Sequence, residues 1–190
     1  MRHVERLYSL LKEYLTCDFE LNCLTDSDHT SNLPIVFINV EEFELDTWWN
    51  KVLVFNYTYR GLYFDLDVDI KGSIDFLIDE LEKDKICTID TPWKDEKFFS
   101  QPGPEKELEP YIHYGNTSVM GWIGDHRYLV HRLLDDVFEH TSKFYGDDGF
   151  IHKYGKIKHF SNKIDTEMDS RTRYKSADCR ILIHHVVANP

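Results

Sequence analysis

Residues 52–70 read VLVFNYTYRGLYFDLDVDI, two largely apolar runs separated by Arg60-Gly61. A two-residue connection that ends in glycine between such runs predicts a β-hairpin. In the register that this turn implies, one face of the hairpin is wholly apolar. The other face carries alternating carboxylates, Asp65, Asp67 and Asp69. A slip of one residue would place these carboxylates in the core, so the pattern also fixes the predicted register.

The segments on either side of the hairpin complete a pattern of helices and strands. An apolar stripe at helical spacing predicts a first helix over residues 4–16. Residues 35–40 are almost continuously apolar, which predicts a strand buried on both faces. Residues 74–85 then predict a second helix, and residues 86–89 a short strand. The first half is therefore ordered helix-strand-strand-strand-helix-strand. We expect an α/β (α+β) fold with a single mixed or antiparallel sheet and helices packed on it.

The C-terminal half offers three further elements. A third helix is predicted to begin near Asp125, with Val130 and Leu133 on its buried face. Residues 150–160 alternate in polarity and predict a basic hairpin. Residues 181–187 are predicted to close the chain as a strand.

A proline-rich segment separates the two halves. Residues 91–110 hold four of the six prolines, which predicts a loop or linker. We expect a single domain over 1–190. The alternative is two sub-lobes, 1–90 and 111–190, joined by this loop.

The net charge of −12 is concentrated in the N-terminal part of the chain. Residues 1–112 carry 24 acidic and 11 basic side chains, whereas residues 113–190 carry 10 and 11. An acidic surface repels nucleic-acid phosphates and attracts basic proteins. The charge therefore disfavours direct binding to nucleic acid and favours a basic protein as the partner.

The sequence also predicts where the protein resides. We find no apolar run long enough to cross a bilayer, and the chain starts with a charged amphipathic segment rather than an apolar signal core. The four cysteines form no C-x-x-C pair, which is typical of reduced thiols rather than of a zinc or redox motif. We therefore expect a cytoplasmic protein with no membrane partner and no cofactor.

The alternating carboxylates of the predicted hairpin, Asp65, Asp67 and Asp69, are the first candidate functional group. Aspartate is a poor strand former, so three in one strand need a reason beyond intrinsic propensity. Side chains at alternate positions stand about 7 Å apart on one strand face. Such a row could bind a divalent metal ion, dock a basic partner, or simply keep an exposed strand face solvated.

A second acidic group lies next to two tryptophans. Large aromatic side chains among carboxylates are typical of a protein-binding patch, in which the aromatics anchor the partner and the acids steer it. The leading hypothesis is therefore a non-enzymatic acidic inhibitor of the immunity-protein or anti-defence type. It would cover the active site of a basic toxin or nuclease, with carboxylates standing where phosphates bind. The predicted partner-binding residues are Glu42, Glu44, Asp46, Trp48, Trp49, Asp65, Asp67 and Asp69.

The tripeptide Asp69-Ile70-Lys71 supports an alternative function. With Asp46 upstream, residues 4–90 resemble the PD-(D/E)xK nuclease superfamily, in which a helix, three strands, a helix and a strand carry the site. The resemblance implies that Asp46 and Asp69 hold a magnesium ion and that Lys71 polarises the attacking water. The alternative is therefore a metal-dependent nuclease or phosphodiesterase with these three catalytic residues.

The C-terminal part contains eight of the ten histidines. Two ligands on one helix face need a spacing of three or four residues, but His126 and His131 are five apart. A site in this half is a third hypothesis, and the sequence does not identify its ligands.

Overall fold

The computed structural model describes residues 2–91, 115–144, 146–161, 164–168, 172–173 and 180–185. Five α-helices are described: α1 (Arg2–Tyr14), α2 (Phe76–Asp79), α3 (Arg127–Asp135), α4 (Val137–Lys143) and α5 (Asp147–Tyr154). Two 3-10 helices, Glu41–Phe43 and Thr47–Asn56, lie between the second and third strands. In the described part of the chain no helix is both long and apolar enough to span a membrane.

Ten strands alternate with these helices. Those of the first half are β1 (Leu21–Thr25), β2 (Ile35–Asn39), β3 (Arg60–Phe64), β4 (Val68–Ile70) and β5 (Lys85–Asp90). Those of the second half are β6 (Gly115–Ile123), β7 (Ile157–His159), β8 (Ile164–Met168), β9 (Thr172–Arg173) and β10 (Ile181–His185). The predicted α+β class is confirmed, and the predicted order of the first elements roughly matches the structure.

The described strands form three sheets rather than one. A central sheet has the order β3-β6-β5-β7, a second has the order β4-β10-β8-β9, and β1 and β2 form a parallel pair. In the central sheet β6 runs antiparallel to β3 and β5, while β7 is parallel to β5. Strands β3, β5 and β7 therefore end at the edge where β6 begins. We call this the carboxyl edge, and it comprises residues 65–67, 90–91, 115–118 and 159–161.

Two apolar layers cover the central sheet, one on each face, and the side chains of β6 alternate between them. Met120 and Trp122 belong to a first layer, which also contains residues of the 3-10 helix Thr47–Asn56 and of α3 and α5. Val119 belongs to a second layer, which contains residues of α1, β4 and α2. Eight of the nine residues of β6 are buried, as expected for a central strand covered on both faces.

The predicted hairpin is wrong in its first strand. Val52, Leu53, Val54 and Phe55 lie in the 3-10 helix Thr47–Asn56, and all four are buried. A short apolar run that is buried on every side has no alternation, so its pattern does not distinguish a strand from a helix. The tertiary position of the segment, which contacts α3 and packs Phe55 against Trp122 of the central sheet, decides its conformation.

The predicted hairpin turn, Arg60-Gly61, is instead the start of β3. Gly61 pairs with Trp122 of β6, and a Cβ atom at position 61 would lie 2.9 Å from the Trp122 ring. The glycine is therefore required by the close approach of the indole ring and not by a turn. Strand β4 leaves the central sheet and pairs with β10.

Other predicted elements also differ from the structure. Strand β2 was predicted to be buried on both faces, but Val36 is 45% exposed because β2 pairs only with β1 among the described strands. The predicted helix over 74–85 shortens to α2. The predicted basic hairpin over 150–160 is wrong, because this segment continues helix α5 and then forms β7. The predicted loop over 91–110 lies outside the described residues except for Thr91.

Candidate functional site

Buried polar side chains are concentrated at the carboxyl edge. Among the described residues, seven of the nine buried polar or charged side chains belong to this edge or hydrogen-bond with it: Lys51, Thr88, Thr91, Asn116, Thr117, Ser118 and Asp147. Burying a polar group is costly unless partners satisfy it. Convergence of so many at one edge therefore marks a candidate site.

Lys51 is the cation at the centre of this cluster. Its side chain extends from the 3-10 helix Thr47–Asn56 and is only 8% exposed. The ammonium lies 3.2 Å from both carboxylate oxygens of Asp65 and 3.2 Å from Oδ2 of Asp147. It also donates a hydrogen bond of 3.3 Å to the Thr117 hydroxyl. The buried charge is thus paired on two sides and hydrogen-bonded on a third.

Asp65 connects this cluster to the end of β3. Its backbone N–H donates to the Ser118 carbonyl at 2.8 Å, and Tyr63 donates its hydroxyl to Asp65 Oδ1 at 2.7 Å. Burial and then the neighbouring Asp65 carboxylate raise the pKa of Tyr63 well above its ordinary value, so Tyr63 remains a hydrogen-bond donor. The Asp65 carboxylate is therefore fixed in place by a neutral donor and a cation.

Asp147 and Asp148, the first two residues of α5, meet one hydroxyl of β6. Thr117 Oγ1 lies 2.5 Å from Asp147 Oδ2 and 2.5 Å from Asp148 Oδ1. Asp148 also accepts the backbone N–H of Thr117 at 2.8 Å, and Asn116 Nδ2 stands 3.5 Å from its other oxygen. Residues at the start of a helix and at the start of the central strand are thereby joined.

The balance of charge around Lys51 determines its protonation. Burial alone would lower the pKa of Lys51, but attraction by Asp147, and then by Asp65 and Asp148, outweighs it. The pKa of Lys51 therefore lies above its ordinary value, and the side chain is a permanent cation.

For Asp147 the surroundings favour the neutral form, whereas for Lys51 they favour the charged form. Complete burial disfavours its charged form and outweighs the attraction of Lys51, and the negative charge of Asp148 adds to the effect. These causes raise the pKa of Asp147 to about 6. One ammonium faces three carboxylates, so the most deeply buried of them is the one that keeps its proton most easily.

A chain of hydrogen bonds runs along the other side of the edge, across β5, β7 and α5. Thr88 Oγ1 lies 3.1 Å from His152 Nε2 and 3.3 Å from His159 Nδ1, and the two imidazole rings are stacked. His152 donates from Nδ1 to the Asp148 carbonyl at 2.8 Å. Gly115 makes room for this ring, since a Cβ atom there would lie 1.8 Å from His152 Nε2.

Asp67 is the exposed member of the edge. It follows Asp65 and Leu66 in the turn between β3 and β4, and its charge contributes to the raised pKa of Tyr63. In the part of the chain that the structure describes, no group of three or more His, Cys, Asp or Glu side chains could by itself enclose a metal ion. The edge therefore offers a pair of carboxylates separated by one residue rather than a closed protein cage.

The structure separates the residues predicted to bind a partner. The predicted row of three aspartates is not a strand face: Asp65 joins the buried cluster, Asp67 lies in the turn, and Asp69 lies in β4. Asp69 forms ion pairs with Arg6 at 2.7 Å and Lys71 at 3.8 Å. The acidic segment remains on the surface, with the exposed residues Glu42, Glu44, Asp46 and Trp48, whereas Trp49 is buried against Phe150.

The residues implied by the nuclease resemblance lie in different layers. Asp46 precedes the 3-10 helix Thr47–Asn56, which packs in the first apolar layer, while Asp69 belongs to β4, which packs in the second. Lys71 is 42% exposed and its closest acidic partner in the described chain is Asp69 itself. The geometry does not bring the three residues to one edge of the central sheet.

Apart from Asp65 and Asp67, the residues of this cluster were not predicted from the sequence. Lys51 is a lone basic residue in the apolar run WWNKVLVF, which is a signal of a paired buried charge. Asn116, Thr117 and Ser118 belong to the uncharged run GNTSVMGWIG, whose small polar residues do not resemble a strand. Asp147-Asp148 follows a glycine and is a typical helix start.

Comparisons with known proteins do not identify a family. No family model matches the sequence, and no curated protein matches it. Among solved structures, the chain is similar to an active-site mutant of LgtC, with 16% sequence identity and a TM-score of 0.48. That match covers 83% of this chain and 68% of the other.

Proposed function

We propose that the protein is an enzyme whose carboxyl edge binds a small phosphorylated ligand through a divalent cation held by Asp65 and Asp67. The observation that carries the proposal is the convergence of buried polar side chains from four elements, the 3-10 helix Thr47–Asn56, β5, β6 and α5, behind the half-buried Asp65 and the exposed Asp67. The reaction class would be transfer or hydrolysis of a group attached to phosphate.

The position of the pair in the sheet supports this function. In sheets with parallel strands, ligands bind beyond the carboxyl ends, where the loops that follow the strands converge. Strands β3, β5 and β7 all end at this edge, and Asp65 and Asp67 directly follow β3. The hydrogen bond from Tyr63 and the ion pair with Lys51 hold Asp65 in a fixed orientation, which a cation site requires.

The charge of the chain supports a small ligand with a bridging cation. An acidic protein repels a long polyanion such as nucleic acid, because each phosphate adds an unfavourable interaction. Magnesium typically binds one or two protein carboxylates and completes its shell with water and substrate phosphate. Two carboxylates at the edge match this mode, and a nucleoside diphosphate or a similar diphosphate ester is the simplest ligand class.

The experiment measures cation binding with and without phosphate ligands. Manganese, which is detectable by electron paramagnetic resonance, is titrated into the full-length protein alone and with a panel of nucleoside diphosphates. We expect at least one diphosphate to strengthen manganese binding. Asp67→Asn should weaken manganese binding by about tenfold or more, because it removes a charged ligand of the cation.

Asp79→Asn is the matched control, because Asp79 is an exposed aspartate of α2 that is not one of the residues of the carboxyl edge. It should bind manganese like the wild-type protein. Equal binding by both variants, or no manganese binding by the wild-type protein with any diphosphate, would refute the proposal.

A second function, the acidic inhibitor, is favoured by one specific observation. Trp48 is 49% exposed and continues the exposed acidic segment that contains Glu42, Glu44 and Asp46. An aromatic anchor surrounded by carboxylates suits a basic protein partner, such as a toxin or nuclease in the cytoplasm. Asp65 and Asp69 contribute less to such a surface than predicted, because each is paired within the chain.

The inhibitor function is tested by capture of a basic protein that then binds in purified form. Trp48→Ala should weaken that binding at least tenfold, as expected for a central aromatic anchor. Phe138→Ala, at an exposed aromatic residue of α4, is the control. A partner that binds both variants equally would contradict this second function and leave the first untouched.

A further inference from the structure

Thr117 contacts two carboxylates but has only one proton to donate. Its hydroxyl oxygen lies 2.5 Å from Asp147 Oδ2 and 2.5 Å from Asp148 Oδ1, which are distances of charge-assisted O–H···O hydrogen bonds. A hydroxyl donates one hydrogen bond and accepts two. If both carboxylates were ionised, one of these contacts would be a close approach of two oxygens with no proton between them.

We propose that Asp147 and Asp148 share one proton through Thr117, as a carboxyl pair that exchanges a proton with a ligand at the carboxyl edge. The identity of the ligand rests on the proposed function, whereas the shared proton rests on the geometry of the three residues alone.

The surroundings of the two carboxyl groups place the shared proton on Asp147. Asp148 is partly exposed and accepts the backbone N–H of Thr117, both of which favour its ionised form. Asp147 is buried, and burial raises its pKa. Below about pH 6 Asp147 therefore donates to Thr117 Oγ1, and Thr117 donates to Asp148.

The charged groups around the pair are consistent with this assignment. Lys51 donates to Thr117 Oγ1 and pairs with both Asp147 and Asp65. The Thr117 oxygen then accepts from Lys51 and Asp147 and donates to Asp148, which uses its full hydrogen-bonding capacity. Tyr63, which faces Asp65, stays neutral, and His152 donates a hydrogen bond to the backbone carbonyl of Asp148.

The exchange of the proton conserves atoms and charge. The Asp147 proton moves to the Thr117 oxygen while the Thr117 proton moves to Asp148 Oδ1, so that Asp148 becomes neutral and Asp147 becomes a carboxylate. Asp148 then gives its proton to a ligand oxygen, which becomes a hydroxyl group. Lys51, at 3.2 Å, stabilises the carboxylate that is left on Asp147. The buried acid thereby supplies a proton that the partly exposed acid delivers.

The test is a pH titration of the protein labelled at its aspartate carboxyl carbons and followed by nuclear magnetic resonance, without cation or ligand. Asp147→Asn, which has the shape of the protonated acid, assigns the signal. We expect Asp147 to titrate near pH 6 rather than near the ordinary aspartate value of about 3.9, and the Asp148 signal to shift in the same step.

Thr117→Ser and Thr117→Val distinguish a proton shared through the Thr117 hydroxyl from an effect of burial on Asp147 alone. In Thr117→Ser, which retains the hydroxyl, the Asp147 and Asp148 signals should still shift in the same pH step. In Thr117→Val the Asp148 signal should no longer shift together with that of Asp147. Titration of both wild-type carboxyls below about pH 4.5 would overturn the proposal, because it would show two ionised carboxylates at one hydroxyl. Because no cation or ligand is present, this result is independent of the manganese experiment, and the wild-type titration stands even if a variant does not fold.

Discussion

Asp65 and Asp69 are four residues apart and almost equally exposed, yet they belong to different kinds of ion pair. The Asp65 side chain is 26% exposed and binds Lys51, whose side chain is 8% exposed. The Asp69 side chain is 29% exposed and binds Arg6, whose side chain is 42% exposed. The geometry of the Asp69 pair is the closer of the two, with 2.7 Å between the charged atoms against 3.2 Å.

The difference shows that the burial of the cation, rather than the distance between the charges, determines the consequences of breaking each pair. Removing a buried ammonium leaves its partner carboxylates in a medium that solvates them poorly. An exposed guanidinium is solvated by water whether or not it is paired. The two regions therefore predict effects of different size for similar substitutions.

The largest effect is expected for Lys51→Ala. Removing this ammonium leaves Asp65, Asp147 and Asp148 without their common cation, so the free energy of unfolding should fall by about 3 to 5 kcal/mol at neutral pH. Urea unfolding followed by circular dichroism measures this change. Lys71→Ala, at the exposed lysine next to Asp69, is the matched control and should change the free energy by less than about 1 kcal/mol. A small effect of Lys51→Ala would remove the distinction between the two regions.

An intermediate effect is expected from the pH dependence of Asp147. Its folded-state pKa lies above its unfolded value, so the folded state binds more protons than the unfolded state between about pH 4 and pH 6. The free energy of unfolding of the wild-type protein, relative to Asp147→Asn, should therefore fall as the pH rises through this range, by about 3 kcal/mol at most. Unfolding curves of both proteins at several pH values test this, and a difference that rises with pH would contradict it.

The smallest effect is expected for Arg6→Ala. The guanidinium pairs with Asp69 and donates to the Val68 carbonyl at 3.3 Å, but both side chains are solvated. We expect the free energy of unfolding to fall by about 1 kcal/mol or less, and this loss to shrink as the salt concentration rises. Thermal unfolding at low and high ionic strength measures both. A loss comparable to that of Lys51→Ala would show that the Asp69 pair is part of the core.

Elements that bury only one face against the core were predictable from the sequence. Helix α1 shows its apolar stripe at helical spacing, and Leu7 and Leu11 are buried as that stripe requires. Segments buried on every side were not predictable in the same way. Residues 52–55 are apolar and buried on every side, so no period distinguishes a helix from a strand. In strand β6 the polar Asn116, Thr117 and Ser118 are buried like the apolar residues that follow them, so no alternation identifies the strand.

The candidate site was predicted only in part. The sequence predicts Asp65 and Asp67 as functional candidates, but it predicts them in a carboxylate row on one strand, whereas both lie between β3 and β4. Lys51, Thr117 and Asp147 are up to 96 positions apart in sequence and meet only because β6 begins where β3 ends. Such a contact depends on strand order, which local patterns do not encode.

Strand β6 has a consequence for how the molecule folds. It contributes Met120 and Trp122 to one apolar layer and Val119 to the other, while its hydrogen bonds join segments near residues 60 and 90. Neither layer can be completed before this strand docks between neighbours that are distant in the chain. The rate of folding is therefore governed by the closure of long loops around β6, and local helix formation does little to accelerate it.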